Sequence, residues 1–276
     1  MMQRRNRRKC VVYPMHRKPK LGQNFLVSPT APRAIVDALG DLSQATVLEI
    51  GPGRGVLTSL LAARAKRLIA VELDPALAAS LQGGSVEVIC QDILRFDLTQ
   101  LATQLGVRLL VVGNLPYYIS SPILMHLFAH STVIDRAVLM AQREVAERIV
   151  APPGSRAYGL LSATAQMYAT VEQLFTLPPE AFAPPPEVYS TVFRLSMRPR
   201  FEQLAVEPEG FLRFLRQIFA LKRKTLANNL RASGYDPAVV DAAFTRCVVD
   251  PRVRAEAVSL EGMACLFKAL FPETLS

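Results

Sequence analysis

The 276-residue chain predicts an α/β fold, a doubly wound and mostly parallel sheet followed by a small all-helical unit. Three observations predict it. Short apolar runs alternate with helical spacing between residues 46 and 150, as parallel strands joined by crossover helices do. One such run breaks into glycines at 51, 53 and 55. Strand patterns then stop near residue 200, and only helical spacing recurs beyond it.

TVLEI (46–50) predicts a buried strand ending at GPGRG, and VLTSLLAARA continues with Leu and Ala at helical spacing. RLIAVEL (67–73) predicts a second strand. In DPALAASL, Asp74 is the cap and Pro75 the first-turn residue of the next helix. VEVIC (86–90), RLLVVGN (108–114) and RAVLMAQ (136–142) predict three more strands, the last leading into the helix REVAERIV. VEQLFTL and STVFRLS predict antiparallel additions at the sheet's edge. MRPRFEQLAVEPEG is linker-like, and FLRFLRQIFALKRKTLANNL has apolar residues at helical spacing with basic residues between them. The boundaries expected are a basic extension at 1–20, an α/β unit at 21–199 and a helical unit at 200–276.

Half of the residues are hydrophobic, which supports a sizeable core and argues against global disorder. No apolar run is long enough to span a bilayer, so no membrane partner is expected. Cys10, Cys90, Cys247 and Cys265 are scattered, without a C-x-x-C or a nearby His pair. That spacing predicts neither a zinc site nor a disulfide framework, and it fits a reducing, cytoplasmic compartment. His126 and His130 stand one helical turn apart without a carboxylate motif, so no metal is expected.

The net charge of +9 is unevenly placed. Residues 1–20 hold eight Lys/Arg and no acid, while residues 211–254 hold nine against three Asp, which leaves the remainder at −5. Two basic zones on a mildly acidic body point to a polyanionic partner. The N-terminal zone has no apolar core and is not a secretory signal.

Chemistry concentrates at the ends of the predicted strands. In EIGPGRG, Gly51 and Gly53 let the backbone turn sharply and approach a ligand. Glu72 follows Gly51 by 21 residues, the distance at which a strand-terminal acid accepts hydrogen bonds from a ribose. The G-x-G-x-G spacing departs from the pyrophosphate cradle G-x-G-x-x-G, so a nucleoside with an amino-acid tail, S-adenosylmethionine, fits better than NAD. Asp92 closes the third strand at the same edge, where a carboxylate can accept from the adenine amine of that ligand; alone, such an Asp is more often a turn or cap residue.

Asn114 ends the fourth strand in NLPYY. An exocyclic amine of a base is a poor nucleophile because its lone pair is delocalised into the ring. The Asn114 carbonyl and a backbone carbonyl beside Pro116, that of Leu115 or of the proline, can accept both amine hydrogens and free the lone pair. Tyr117 is placed to stack on an extruded base. Met125, Met140 and Met167 have the character of core filler.

Over nearly its whole length the chain resembles small-subunit ribosomal RNA adenine dimethyltransferases of the KsgA type. The motifs are LGQNFL (21–26), EIGPGRGVLT, VELD, QDIL and NLPYYIS, with RAYGLLSATAQ, FAPPPEVYSTVFRL and KRKTLANNL beyond the generic methyltransferase core. The resemblance implies a Rossmann-like class I S-adenosylmethionine-dependent methyltransferase that dimethylates two adjacent adenosines near the 3′ end of small-subunit rRNA in the 30S subunit. It implies cofactor contacts at Asn24, Leu26, Gly51, Glu72, Asp92 and Asn114, and a monomer. It also implies that Phe182 stacks on the target adenine opposite Tyr117; from the residues alone, Phe182 is a loop aromatic suited to core packing. Lys222, Arg223 and Lys224 are expected on rRNA phosphates. Tyr118 stands where many family members have Asn, and the basic leader is longer than the family needs. Three other readings stay open: a large-subunit methyltransferase of the Erm resistance type, an assembly factor without essential catalysis, and an NAD-dependent oxidoreductase.

Overall fold

The computed structural model describes residues 24–271, so the basic extension and the first three residues of LGQNFL lie outside it. The elements in chain order are β1 (Phe25–Leu26), α1 (Ala31–Asp37), β2 (Thr46–Ile50), α2 (Val56–Ala62), β3 (Arg67–Glu72), α3 (Pro75–Ser80), β4 (Val86–Cys90) and α4 (Leu98–Leu105). After them come β5 (Leu109–Asn114), α5 (Ser120–Ala129), β6 (Ile134–Gln142), α6 (Arg143–Val150), α7 (Leu160–Tyr168), β7 (Ala169–Leu177), β8 (Phe182–Ala183) and β9 (Ser190–Met197). Helices alone follow among the described residues: α8 (Phe201–Leu204), α9 (Pro208–Ile218), α10 (Leu226–Ala232), α11 (Pro237–Cys247) and α12 (Leu260–Leu270).

Seven strands form one sheet in the order β4-β3-β2-β5-β6-β9-β7. The pairs β4–β3, β3–β2, β2–β5 and β5–β6 are parallel, whereas β9 runs antiparallel to both β6 and β7. The five strands expected in parallel occur where their apolar runs placed them. The two late strands join antiparallel, with β9 inside and β7 at the edge.

Because successive strand residues point to opposite faces, an apolar run such as TVLEI feeds two cores. Leu48, Ile69, Val111 and Leu139 pack on one face with Leu98 of α4 and Leu124 and Phe128 of α5. Val47, Leu68, Val112 and Val138 pack on the other with Ile35 of α1 and Leu61 of α2. Helices on both faces are what parallel strands of unbroken hydrophobicity require.

The first core continues without a break into the C-terminal helices. Phe128 stacks on Tyr168 at 5.4 Å, Tyr168 meets Phe201 edge-on at 5.1 Å, and Phe211, Phe214 and Phe267 close the series. The helical segment therefore shares its hydrophobic interior with the sheet.

Two expectations need correction. The continuous helical spacing of FLRFLRQIFALKRKTLANNL is two helices, α9 and α10, separated by a turn that carries Lys222, Arg223 and Lys224. The turn is held by the buried Asn229, which accepts from Leu221 N at 2.8 Å and donates to the carbonyls of Leu221 and Thr225. Thr225 caps α10 through Asn228 N at 3.2 Å. Side-chain hydrogen bonds to the backbone hold the turn and start the next helix, which hydrophobic spacing alone does not reveal.

The second correction concerns the cysteines. Cys247 and Cys265 form a disulfide, with Cα atoms 5.8 Å apart. They lie 18 residues apart on α11 and α12, and it is the packing of these helices that brings them together. No local cysteine motif announces such a pairing, and the expectation of no disulfide is set aside.

Candidate active site

The sheet order reverses direction between β2 and β5, and the loops after β2, β3, β4 and β5 line one cavity at their carboxyl ends. Open α/β sheets bind ligands at such a crevice. Of the expected cofactor residues, Asn24, Leu26, Gly51, Gly53, Glu72, Asp92 and Asn114 all line it, together with Leu115, Pro116 and Tyr117.

The glycine loop bends as its spacing demands: Gly51, Gly53 and Gly55 have φ of 61°, 57° and 80°, a region that side chains resist. A Cβ at Gly53 would come within 3.3 Å of the Phe25 ring. Phe25 lies over the loop, and the Arg54 guanidinium sits 4.3 Å from its ring centre. The preceding motif thus roofs the turn that the glycines make.

Glu72 is buried at the end of β3. Its Oε2 accepts from Gly53 N at 3.1 Å and its Oε1 from Asp74 N at 2.9 Å. Each carboxylate oxygen has a second lone pair, so the group is held by backbone and still able to accept from a ligand. Asp74 also caps α3 through Ala76 N at 2.8 Å, as the Asp-Pro start predicts. Asp92 is half-buried and caps a single helical turn through Leu94 N at 2.9 Å while lining the cavity. Its turn role and its place at the site coexist.

Asn114 stands half-buried at the tip of β5 and donates from Nδ2 to the Asn24 carbonyl at 3.2 Å. That bond sets the amide's orientation and leaves Oδ1 as an acceptor without a partner among the described residues. Pro116 O already accepts from Ile119 N at 3.1 Å and Ser120 Oγ at 3.0 Å. Of the two carbonyls flanking the proline bond, Leu115's is therefore the one available. Tyr117 is braced by a 2.7 Å hydrogen bond between its hydroxyl and Ser190 Oγ, and burial pushes its phenol pKa up. Tyr118, by contrast, is exposed.

Phe182 does not line the cavity. It is 3% exposed and packs in the core beside Leu26, Val192 and Met140, and its backbone pairs with Leu26 where β8 meets β1. Its position matches the core-packing reading of a loop aromatic rather than the stacking role implied by resemblance. Lys222, Arg223 and Lys224 are exposed and lie apart from the cavity lining.

Motif spacing gives Glu49 of EIGPGRG no role, although a lone acid inside a buried strand is a signal. It lines the cavity, is 1% exposed and accepts from Thr58 Oγ1 at 2.8 Å. Burial raises its pKa to about 7, opposed by the Thr58 hydrogen bond and assisted by the nearby Glu72 charge. A carboxyl raised in the folded state stabilises fully below its ordinary value of 4.5 and loses that contribution as pH climbs through about 7. Glu49→Gln should remove this loss, so the stability difference between wild type and variant should shift by roughly 3 kcal/mol between pH 4.5 and 8. Urea unfolding of both proteins across that window checks it; a pH-independent difference would refute the burial account.

The family described as ribosomal RNA adenine dimethylase matches residues 15–271. Among similar proteins, the "Ribosomal RNA small subunit methyltransferase A" of Acidobacterium capsulatum is 58% identical, over 92% of this chain and 91% of the relative. That of Koribacter versatilis is 52% identical over 92% and 94%, and that of Bacillus cereus 38% over 98% of both. Among solved structures, the 23S rRNA methyltransferase ErmE is 25% identical with a TM-score of 0.67, covering 90% of this chain and 99% of that one. A dimethyladenosine transferase from Plasmodium falciparum, 24% identical, shares the fold with a TM-score of 0.71 over 88% and 95%. With a glycine loop, a ribose-spaced acid and an amide at the strand tip in one cavity, and with this extent of identity, the chain belongs to the ribosomal RNA adenine dimethylase family.

Proposed function

We propose that this chain transfers methyl groups from S-adenosylmethionine to N6 of two adjacent adenosines near the 3′ end of small-subunit rRNA, giving N6,N6-dimethyladenosine, with the 30S subunit as substrate. The observation that carries the reading is the Asn114 amide, whose Nδ2 is committed to the Asn24 carbonyl and whose Oδ1 is thereby left to accept.

Adenine N6 donates its lone pair into the ring. Oδ1 of Asn114 and the Leu115 carbonyl can each accept one N6–H, which favours a pyramidal nitrogen with the lone pair localised. S-adenosylmethionine, when bound, supplies a methyl on a cationic sulfur. Held against Glu72 and the glycine loop, it would offer that methyl to the localised N6 lone pair and leave as S-adenosylhomocysteine, with the displaced N6 proton passing to solvent. Positioning does most of the work, and a buried strong base is not needed. The residues fit the cofactor: Glu72 has lone pairs left for ribose hydroxyls, and a Cβ at Gly51 would meet no protein atom within 4 Å, leaving room for a ligand there.

Substrate capture falls to the exposed turn Lys222–Lys224, presented by Asn229 and borne on the helical segment from residue 200 onward, which we assign to RNA binding. Two transfers per base require the pocket to accept an N6 that already carries one methyl, with fresh cofactor between transfers.

Methyl transfer from labelled S-adenosylmethionine to unmethylated small and large subunits, with nucleoside analysis, tests the reading. N6,N6-dimethyladenosine is expected in the small subunit alone; label in the large subunit would favour the resistance-type activity, and binding without label would favour an assembly role. Asn114→Ala should lower turnover by about 100- to 1000-fold while leaving rRNA affinity nearly intact, since the amide acts mainly in the transition state. Near-normal turnover would remove the amine-orienting role. Charge reversal at Lys222, Arg223 and Lys224 together should weaken rRNA binding and flatten its dependence on salt, measured by titration at several ionic strengths. Unchanged binding would place the RNA surface elsewhere.

A further inference from the structure

At the end of the sheet opposite the catalytic edge, Arg108, Asp135, Arg136, Ser196, Met197 and Arg198 line a second cavity of about 150 Å³. Register explains the convergence. Arg136 of β6 lies opposite Ser196 of β9 and beside Leu110 of β5, so the start of two strands and the end of a third meet there. Six residues of β5 separate Arg108 from Asn114, about 20 Å at the usual strand rise.

The lining is unbalanced in charge, with three guanidiniums facing one carboxylate. Arg108 spends its donors on the fold: Nη2 on the Ile134 carbonyl at 2.6 Å, with Nη1 3.4 Å from Asp135. Arg136 Nη1 donates to the Leu39 carbonyl at 2.8 Å. Its Nε, however, is buried with no hydrogen-bond partner among the described residues. That nitrogen is sealed from solvent, so Arg136 contributes positive charge to the cavity and no Nε donor. The Arg198 guanidinium is exposed and engages no partner among the described residues, and Ser196 adds a hydroxyl.

We infer that this cavity is an oxyanion site for a phosphate group. The Arg198 guanidinium, without a partner among the described residues, offers a planar fork of donors that matches two oxygens of a phosphate, and the Ser196 hydroxyl can donate to a third. The net excess of positive charge suits the same ligand. Such a phosphate can come from the backbone of rRNA, in which case the site is a second anchor about 20 Å from the methyl-transfer edge, or from free inorganic phosphate. The RNA source rests on the function proposed above; the oxyanion site does not.

Calorimetric titration of inorganic phosphate at constant ionic strength, against chloride, tests the site in the full chain. The wild type should bind phosphate, Arg198→Gln should weaken it on the order of tenfold, and Arg198→Lys should recover part of the loss. Arg198 is chosen because its side chain makes no hydrogen bond or ion pair among the described residues, and retention of the wild-type unfolding midpoint verifies that the variant folds. Absence of phosphate binding by the wild type, or equal affinity in Arg198→Gln, would overturn the inference. Small-subunit rRNA binding then separates the sources. A fall in affinity with a salt slope reduced by about one in Arg198→Gln identifies a backbone phosphate; weakened phosphate with unchanged rRNA binding identifies a free anion. Failure of methyl transfer to small subunits would overturn the function alone and leave the phosphate titration standing.

Discussion

Glu72 carries a carboxylate into the interior at the tip of β3, where solvation by water is largely lost. Two backbone N–H groups, from Gly53 and Asp74, replace that water. The replacement has consequences in both directions along the chain. Gly53 N reaches the carboxylate only because the loop after β2 turns through left-handed backbone, and Asp74 N reaches it only because the chain turns at once into α3. One buried acid therefore sets the shape of the loop before it in space and the start of the helix after it in sequence. Glu49, one strand away, has its pKa pushed up to about 7 chiefly by burial, with the Thr58 hydroxyl as its hydrogen-bond partner.

The roof over that loop comes from farther off. Phe25 and Leu26 pair with Phe182 and Ala183, so residues separated by more than 150 positions form a two-stranded clasp, Phe25↔Ala183 and Leu26↔Phe182. Asn24 extends from the clasp to take the Asn114 amide. The Asn114 amide is thus oriented by the N-terminal motif, and that motif pairs with the strand carrying Phe182, whose side chain is buried in the core.

Legibility in the sequence followed the range of the interactions. The parallel strands announced themselves because each is apolar on both faces, and the strand-end residues Gly51, Glu72, Asp92 and Asn114 followed once the strands were placed. The break at Lys222–Lys224 was hidden because hydrophobic spacing continues across it while Asn229 holds the turn by side-chain hydrogen bonds. The clasp was hidden because each strand is two residues long and its partner lies far away in sequence. The Cys247–Cys265 pairing depends on how α11 packs on α12, which no spacing rule encodes. Glu49 is different: a lone acid inside a buried strand is visible in the sequence, but the Thr58 and Glu72 groups that face it are brought there by the fold.

The titration behaviour of the cavity fits the chemistry assigned to it. An amide and a backbone carbonyl do not ionise, so the acceptors for the adenine amine keep the same form at every working pH. Burial raises the Tyr117 phenol, which keeps it neutral and leaves its ring as an apolar face tied to Ser190. The group in this cavity whose pKa is raised to about 7 is Glu49, which lies on β2 opposite Val112 of β5. A pH response from Glu49 in that range would be felt through β2 and the glycine loop that follows it, while the acceptors proposed for the amine do not titrate.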